Sequence, residues 1–225
     1  MRLTAAVFLV VSALVFIRPD PVEAWSSSDA AVLLIEHVTW QTWSANTPSD
    51  TAVDSSGNSY ITGSIREASD CCGNGFDVYV SKVNSSGIIV WTKVFETVPG
   101  GSGFFINSGN DTGEAITVDS SGNVYVTGYT SGGLDNNTSA GKADLFMVKY
   151  NSSGTKQWTN QLGTWDTDFA NGVATDSSGN VYVTGSTYRS LDGNTSAGNA
   201  DLFVVKYNSS GTKQWTKQLG SSSPD

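Results

Sequence analysis

The sequence predicts an all-β protein built from repeated four-stranded antiparallel sheets. Three observations predict it. The ten residues DSSGNVYVTG stand at 119–128 and again, unchanged, at 176–185, and a looser copy, DSSGNSYITG, stands at 54–63. Glycine supplies 24 of the 225 residues, and Ser, Thr and Asn crowd between short β-branched and aromatic runs, as strands and tight turns require. No stretch after the N-terminal segment sustains the 3.6-residue apolar period of a helix.

The N-terminal segment is of a different kind. Arg2 precedes an apolar run from Leu3 to Ile17, followed by RPDPVEAW, with Val22 and Ala24 where a signal peptidase reads. The pattern predicts a secretory signal at residues 1–24 and an exported chain, secreted or displayed at the cell surface. The run is short of the roughly 20 residues of a stable membrane span, so no span is expected once the signal is cleaved. Residues 25–49 carry HVTWQTWSANTPSD, which resembles a worn fourth strand leading into the first unit.

The unit repeats with a period that the sequence reads directly. Residues 119–163 match residues 176–220 at 37 of 45 positions, and Trp158 and Trp215 are 57 apart. The expected units are residues 50–110, 111–168 and 169–220, with residues 221–225 opening the next. Within the last unit GVATD is a short apolar run, NVYVTGST alternates, DLFVVKYN is dense in β-branched and aromatic residues, and TKQWTKQLG centres on Trp215. Each reads as a strand. Strands two and three are apolar on both faces, as sheets are when neighbours cover both sides.

The turns account for the repeated decamer. SSG between two strands fits a tight hairpin, with Ser177 and Ser178 in a type I turn and Gly179 at positive φ. Asp176 is placed to accept backbone N–H groups across it. The NSSG runs at 151–154 and 208–211 join strands three and four in the same way. Asp, Ser and Asn oxygens also allow a calcium-stabilised repeat, but calcium takes six to eight oxygens and usually several carboxylates, and this turn has one.

Four antiparallel strands in about 45–57 residues is the size of a β-propeller blade. GVATDSSGNVYVTGST with ADLFVVKYNSSGTKQWTKQLG resembles the bacterial β-propeller repeat called SBBP, over roughly residues 50–225. The resemblance implies extracytoplasmic repeat proteins of propeller architecture and no single activity. Three blades fall short of the four to eight of a closed ring. The expectation is an incomplete, open arc, closed either by further blades of a longer chain or by self-assembly.

Function is sought on the long connections, since the tight turns leave little room. Four of the eight differences between the two close copies fall in one stretch, where Tyr129, Ser131, Gly132 and Gly133 become Ser186, Tyr188, Arg189 and Ser190. The candidate ligand-binding residues are Trp165, Asp166, Asp168, Tyr188, Arg189 and Asp192, with Tyr129 and Asp135 in the second unit and Arg66 and Asp70 in the first. Aromatics beside carboxylates suit a glycan or a protein surface. The plainer alternative is that Trp165 or Phe169 packs between blades while Asp192 satisfies loop backbone. Trp91, Trp158 and Trp215 are assigned to packing between blades. Asp77, Asp144 and Asp201 are read as caps where strand three begins, with Asp135 and Asp144, or Asp192 and Asp201, as a weaker cation bracket.

Several classes are thinned by composition. Twelve Lys and Arg against 21 Asp and Glu give a net charge of -9, which repels nucleic acid. His37 is the one histidine, no GxSxG elbow accompanies it, and no phosphate-binding loop is present. Cys71 and Cys72 are adjacent, so they close no large loop and make no zinc site. The expectation is therefore a binding or adhesion scaffold without catalysis or resident cofactor. The alternative is a polysaccharide hydrolase or lyase using rim carboxylates such as Asp166 and Asp168.

Overall fold

The computed structural model describes residues 47–66, 75–95 and 110–222. The N-terminal apolar run expected to be a secretory signal, His37, Trp40, Trp43, Asp70, Cys71 and Cys72 lie outside them. Twelve strands form three four-stranded sheets, and a single 3-10 turn at Leu191–Gly193 is the helical content of the described residues. The first sheet holds β1 (Thr47–Val53), β2 (Ser59–Ile65), β3 (Asp77–Val83) and β4 (Ile89–Phe95). The second holds β5 (Asp111–Val118), β6 (Val124–Thr130), β7 (Asp144–Tyr150) and β8 (Lys156–Leu162). The third holds β9 (Asp168–Thr175), β10 (Val181–Thr187), β11 (Asp201–Tyr207) and β12 (Lys213–Leu219). Strands follow chain order in every sheet, each pair antiparallel, so each sheet is a plain meander. The first sheet thus begins at Thr47 and the third at Asp168, slightly ahead of the boundaries that the repeat suggests.

The hairpins form for the reasons the sequence supplies. Asp176 Oδ1 accepts the backbone N–H of Ser178 and of Asn180, both at 2.9 Å, and Gly179 has φ 75°. Asp54 and Asp119 do the same in their sheets. Two partners go beyond the expectation. The Asn that directly follows the Gly and the Tyr two residues after that Asn both reach the second carboxylate oxygen. Asn123 Nδ2 donates to Asp119 Oδ2 at 2.8 Å and Tyr125 Oη at 3.0 Å. Burial raises the Asp54 carboxyl, but the hydrogen bonds from Asn58, Tyr60 and Ser56 outweigh it and bring it down to about 2.

The sheets stack face to face. β5 lies across β1, β2 and β3, and β9 lies across β5, β6 and β7. One core fills the first seam, with Tyr60, Val78 and Val80 against Val124, Val126, Phe146, Val148 and Tyr150. A second fills the next seam, with Tyr125, Leu145 and Met147 against Val181, Val183, Phe203, Val205 and Tyr207. β6 and β7 are therefore buried on both faces, as their doubly apolar sequences require.

The first strands lie nearest one another and the sheets fan outward from them, which is propeller architecture. Asp111 N–H donates to Phe76 O at 2.7 Å and Asp168 N–H to Ala143 O at 2.8 Å, tying each new sheet to its predecessor.

Trp91 sits between Tyr60 of its own sheet and Tyr150 of the next, and Trp158 between Tyr125 and Tyr207. These two are seam residues, as expected. Trp215 is not: it touches Tyr182 of its own sheet and is 40% exposed, because no described sheet stands in front of it.

Candidate functional site

The link between the second and third sheets, residues 163–167, meets the loop after β10 at one edge of their seam. The link is held by a buried strut. Asp168 is fully buried and accepts from Thr164 Oγ1 at 2.9 Å, from the Thr164 backbone N–H and from Thr187 Oγ1. Burial pushes its carboxyl up; the Thr187 and Thr164 hydrogen bonds oppose this, and neighbouring Asp144 adds to the rise. Asp168 is thus a structural carboxylate under the rim rather than a group facing solvent.

Above it, three of the predicted residues converge. The Arg189 guanidinium lies 4.3 Å from the centre of the Trp165 ring, and its Nη2 is 2.8 Å from Asp166 Oδ2. Lys142 Nζ reaches Asp166 Oδ1, also at 2.8 Å. The hydrogen bond from Lys142, ahead of a smaller opposing effect of burial, and the Lys142 and Arg189 charges hold Asp166 below the usual carboxylate range. One anion between two cations leaves the cluster positive on a chain of net charge -9. Trp165 is 62% exposed and Tyr188 39%, so two aromatic rings face solvent beside that charge. Tyr129 packs edge-on against Phe169 at 4.7 Å, extending the aromatic edge to the second sheet.

The other candidates are elsewhere. Asp135 accepts from Lys156 and Thr159, and Asp192 from Lys213 and, at 2.6 Å, from Thr216 Oγ1. Each carboxylate pins its own long loop to its own fourth strand. Asp144 Oδ2 takes the Ala140 N–H and the Gln161 side chain, both at 2.8 Å, and Asp201 takes Ala197 and Gln218 likewise. These aspartates cap the loop that precedes strand three. Among the described residues no group of three or more His, Cys, Asp or Glu is placed to hold a metal ion.

Sequence reasoning missed Lys142, which completes the ion cluster, and Gln161 and Gln218. Gln161 accepts from Leu134 N–H at 3.0 Å and donates to Gly132 O at 2.9 Å, clamping the loop. Its recurrence three residues after Trp158 and Trp215 was the available signal. It also missed a polar groove of about 410 Å³ on the tight-turn side of the first seam, lined among others by Asp54, Asn58, Lys82, Ser121 and Ser152. The turns of adjacent sheets leave room between them although each turn alone does not.

The comparisons agree with this architecture. The profile of the family described as SBBP, a beta-propeller repeat, matches residues 100–135 and 157–191. The two matched segments are similar to the SBBP-type β-propeller repeat, and the described residues form an all-β array of four-stranded sheets consistent with such blades. An uncharacterized WD repeat-containing protein of Acanthamoeba polyphaga mimivirus is 28% identical over 152 residues, covering 50% of this chain. The chain spans 11% of that relative's length.

Proposed function

We propose that this repeat scaffold is a non-catalytic secreted or cell-surface propeller protein that binds a protein or glycan ligand through its long-loop face. The observation that carries the proposal is the Trp165–Arg189–Asp166–Lys142 cluster, solvent-facing and fixed from below by Asp168. Exposed aromatic rings held rigidly beside oriented polar groups are what ligand edges on rigid scaffolds use. Asp166 is paired on both oxygens and held anionic, which suits positioning rather than proton donation.

Export rests on the apolar N-terminal run with its Val22 and Ala24 cleavage pattern. The test is a glycan and protein array probed with the mature chain and with Trp165→Ala. Retained ligands whose signal falls in the variant support the proposal. No binding by the folded chain, or binding indifferent to both Trp165→Ala and Arg189→Ala, overturns it.

A further inference from the structure

We propose that the rim at Trp165, Lys142 and Arg189 takes an acidic saccharide, with a sugar ring laid on Trp165 and a carboxylate or sulfate of the sugar held by the two cations. The inference rests on the reading of the long-loop face as a ligand edge, and it names the chemical class of that ligand.

Repetition separates the residues that hold the seams from those that do not. Seam contacts recur: Lys82 Nζ donates to Ser152 O at 3.4 Å and Lys149 Nζ, one unit on, to Ser209 O at 3.2 Å. The rim residues do not recur. Lys142 corresponds to Asn199 in the third unit and Arg189 to Gly132 in the second, 57 residues apart in each case. Tyr188 corresponds to Ser131, and Trp165 and Asp166 fall, one period on, at Ser222 and Ser223. Two near-identical units thus differ at positions that meet at one seam, each giving it one cation. A packing role shared by the seams would call for the same residues at both.

The geometry turns positive charge outward. The Asp166 side chain is 12% exposed, whereas that of Lys142 is 69% exposed and that of Arg189 41%. Solvent therefore meets the two cations, and the carboxylate beneath orients them. Lys142 Nζ engages one of its N–H donors with Asp166 Oδ1, and Arg189 engages Nη2 with Asp166 and Nη1 with Tyr188 O at 3.0 Å. An ammonium has three such donors and a guanidinium five, so both groups keep donors for an incoming anion. Charges farther off than about 8 Å are screened at physiological salt, so the local pair, not the chain's total of -9, sets the attraction.

The frame is rigid. The link lies between the two loops and is tied to both. Lys142 N–H donates to Asp166 O and Tyr188 N–H to Thr167 O, both at 3.2 Å, and Ala143 bridges to Thr167. Gly141 packs so closely on the link that a Cβ there would fall 2.7 Å from Trp165 Cα. Groups fixed before a ligand arrives cost less to order on binding. The same bonds engage Asp166 O and Thr167 O, so an extended peptide finds no ladder to join. A sugar needs none: its C–H face lies on the negative face of an aromatic ring. Arg189 stacks 4.3 Å from the Trp165 ring centre, yet Trp165 is 62% exposed, so the ring keeps open surface for that contact.

Calorimetric titration of the full chain tests the class. The probes are a galacturonate hexamer, a sulfated galactose hexamer, an uncharged glucose hexamer and a glutamate hexapeptide, all at one salt concentration. Tighter binding of either acidic saccharide than of the glucose and glutamate probes supports the inference, and the tighter of the two tells carboxylate from sulfate. Lys142→Asn and Arg189→Gly each install the sister unit's own residue. Each is expected to weaken acidic-saccharide binding about two- to fivefold, the effect of a partly exposed charge pair. Lys142→Arg retains it. Acidic-saccharide binding indifferent to both Lys142→Asn and Arg189→Gly overturns the inference. Equally tight binding of the glucose hexamer or the glutamate peptide also overturns it, and the long-loop reading stands if Trp165→Ala abolishes that binding. Binding of none of the four probes overturns the inference alone when the array retains a ligand through Trp165, and both readings when it does not.

Discussion

Gly154 lies against the indole of Trp91 so closely that a Cβ on it would fall 2.8 Å from Trp91 Cδ2. Gly154 also has φ 77°. The residue thus answers two demands, one from its own turn and one from the neighbouring sheet. Gly154→Ala is expected to cost about 2–4 kcal/mol, the sum of left-handed strain and a displaced ring. Gly193 has the same φ with nothing within 4 Å, so Gly193→Ala is expected to cost only about 1–2 kcal/mol. Urea titrations of the two variants measure the difference, and equal losses would show that the seam contact contributes nothing.

Tyr125→Phe removes the phenol that donates to Asp119 Oδ2 while leaving the ring in the seam. A hydrogen bond to a charged acceptor of this kind contributes about 1.5–3 kcal/mol. Thermal unfolding at neutral pH is the measurement. A Tm unchanged from the parent would mean that Asn123 alone satisfies that oxygen.

Acid should unfold the chain through its turns. The Asp54 carboxyl is brought from 3.8 to about 2, and Asp119 and Asp176 are also lowered. A group lowered in the folded state contributes stability that is complete above its unfolded value and is lost as pH falls through the folded one. Loss is therefore expected between about pH 4 and pH 2. Burial raises Asp168 and Glu114 instead, so their protonation favours the folded chain on the way down and delays the onset. Denaturant midpoints against pH for the parent and for Asp54→Asn check the sign; the variant should lose less over this window.

Two tryptophans separate packing from surface. Trp158→Ala opens the second seam and is expected to cost about 3 kcal/mol or more. Trp165→Ala removes an exposed ring stacked on Arg189 and is expected to change stability by under about 1 kcal/mol. Chevron or equilibrium denaturation of both variants tests the pair, and a large loss at Trp165 would reassign that ring to the core.

The turn chemistry was legible from the letters because it is local: Asp, two Ser and a Gly fix a hairpin within five residues. Sheet order was legible for the same reason, each strand pairing with its sequence neighbour. The long-loop cluster was half legible. Trp165, Asp166 and Arg189 could be nominated from loop position, but Lys142 joins them across 24 residues through a fold that brings the loop before β7 to the link. Trp215 shows the limit most sharply. Its sequence surroundings nearly repeat those of Trp158, yet one ring is covered and the other open, since cover depends on a neighbour that the local sequence does not contain.

The NSSG turns at 151–154 and 208–211 each close a hairpin in their own sheet and also press their glycine beneath a tryptophan of the preceding one. Damage to such a turn is therefore felt by two units at once. Melting should spread from seam to seam rather than stay confined to the altered blade, so the described array ought to lose its order as one cooperative body despite its modular spelling.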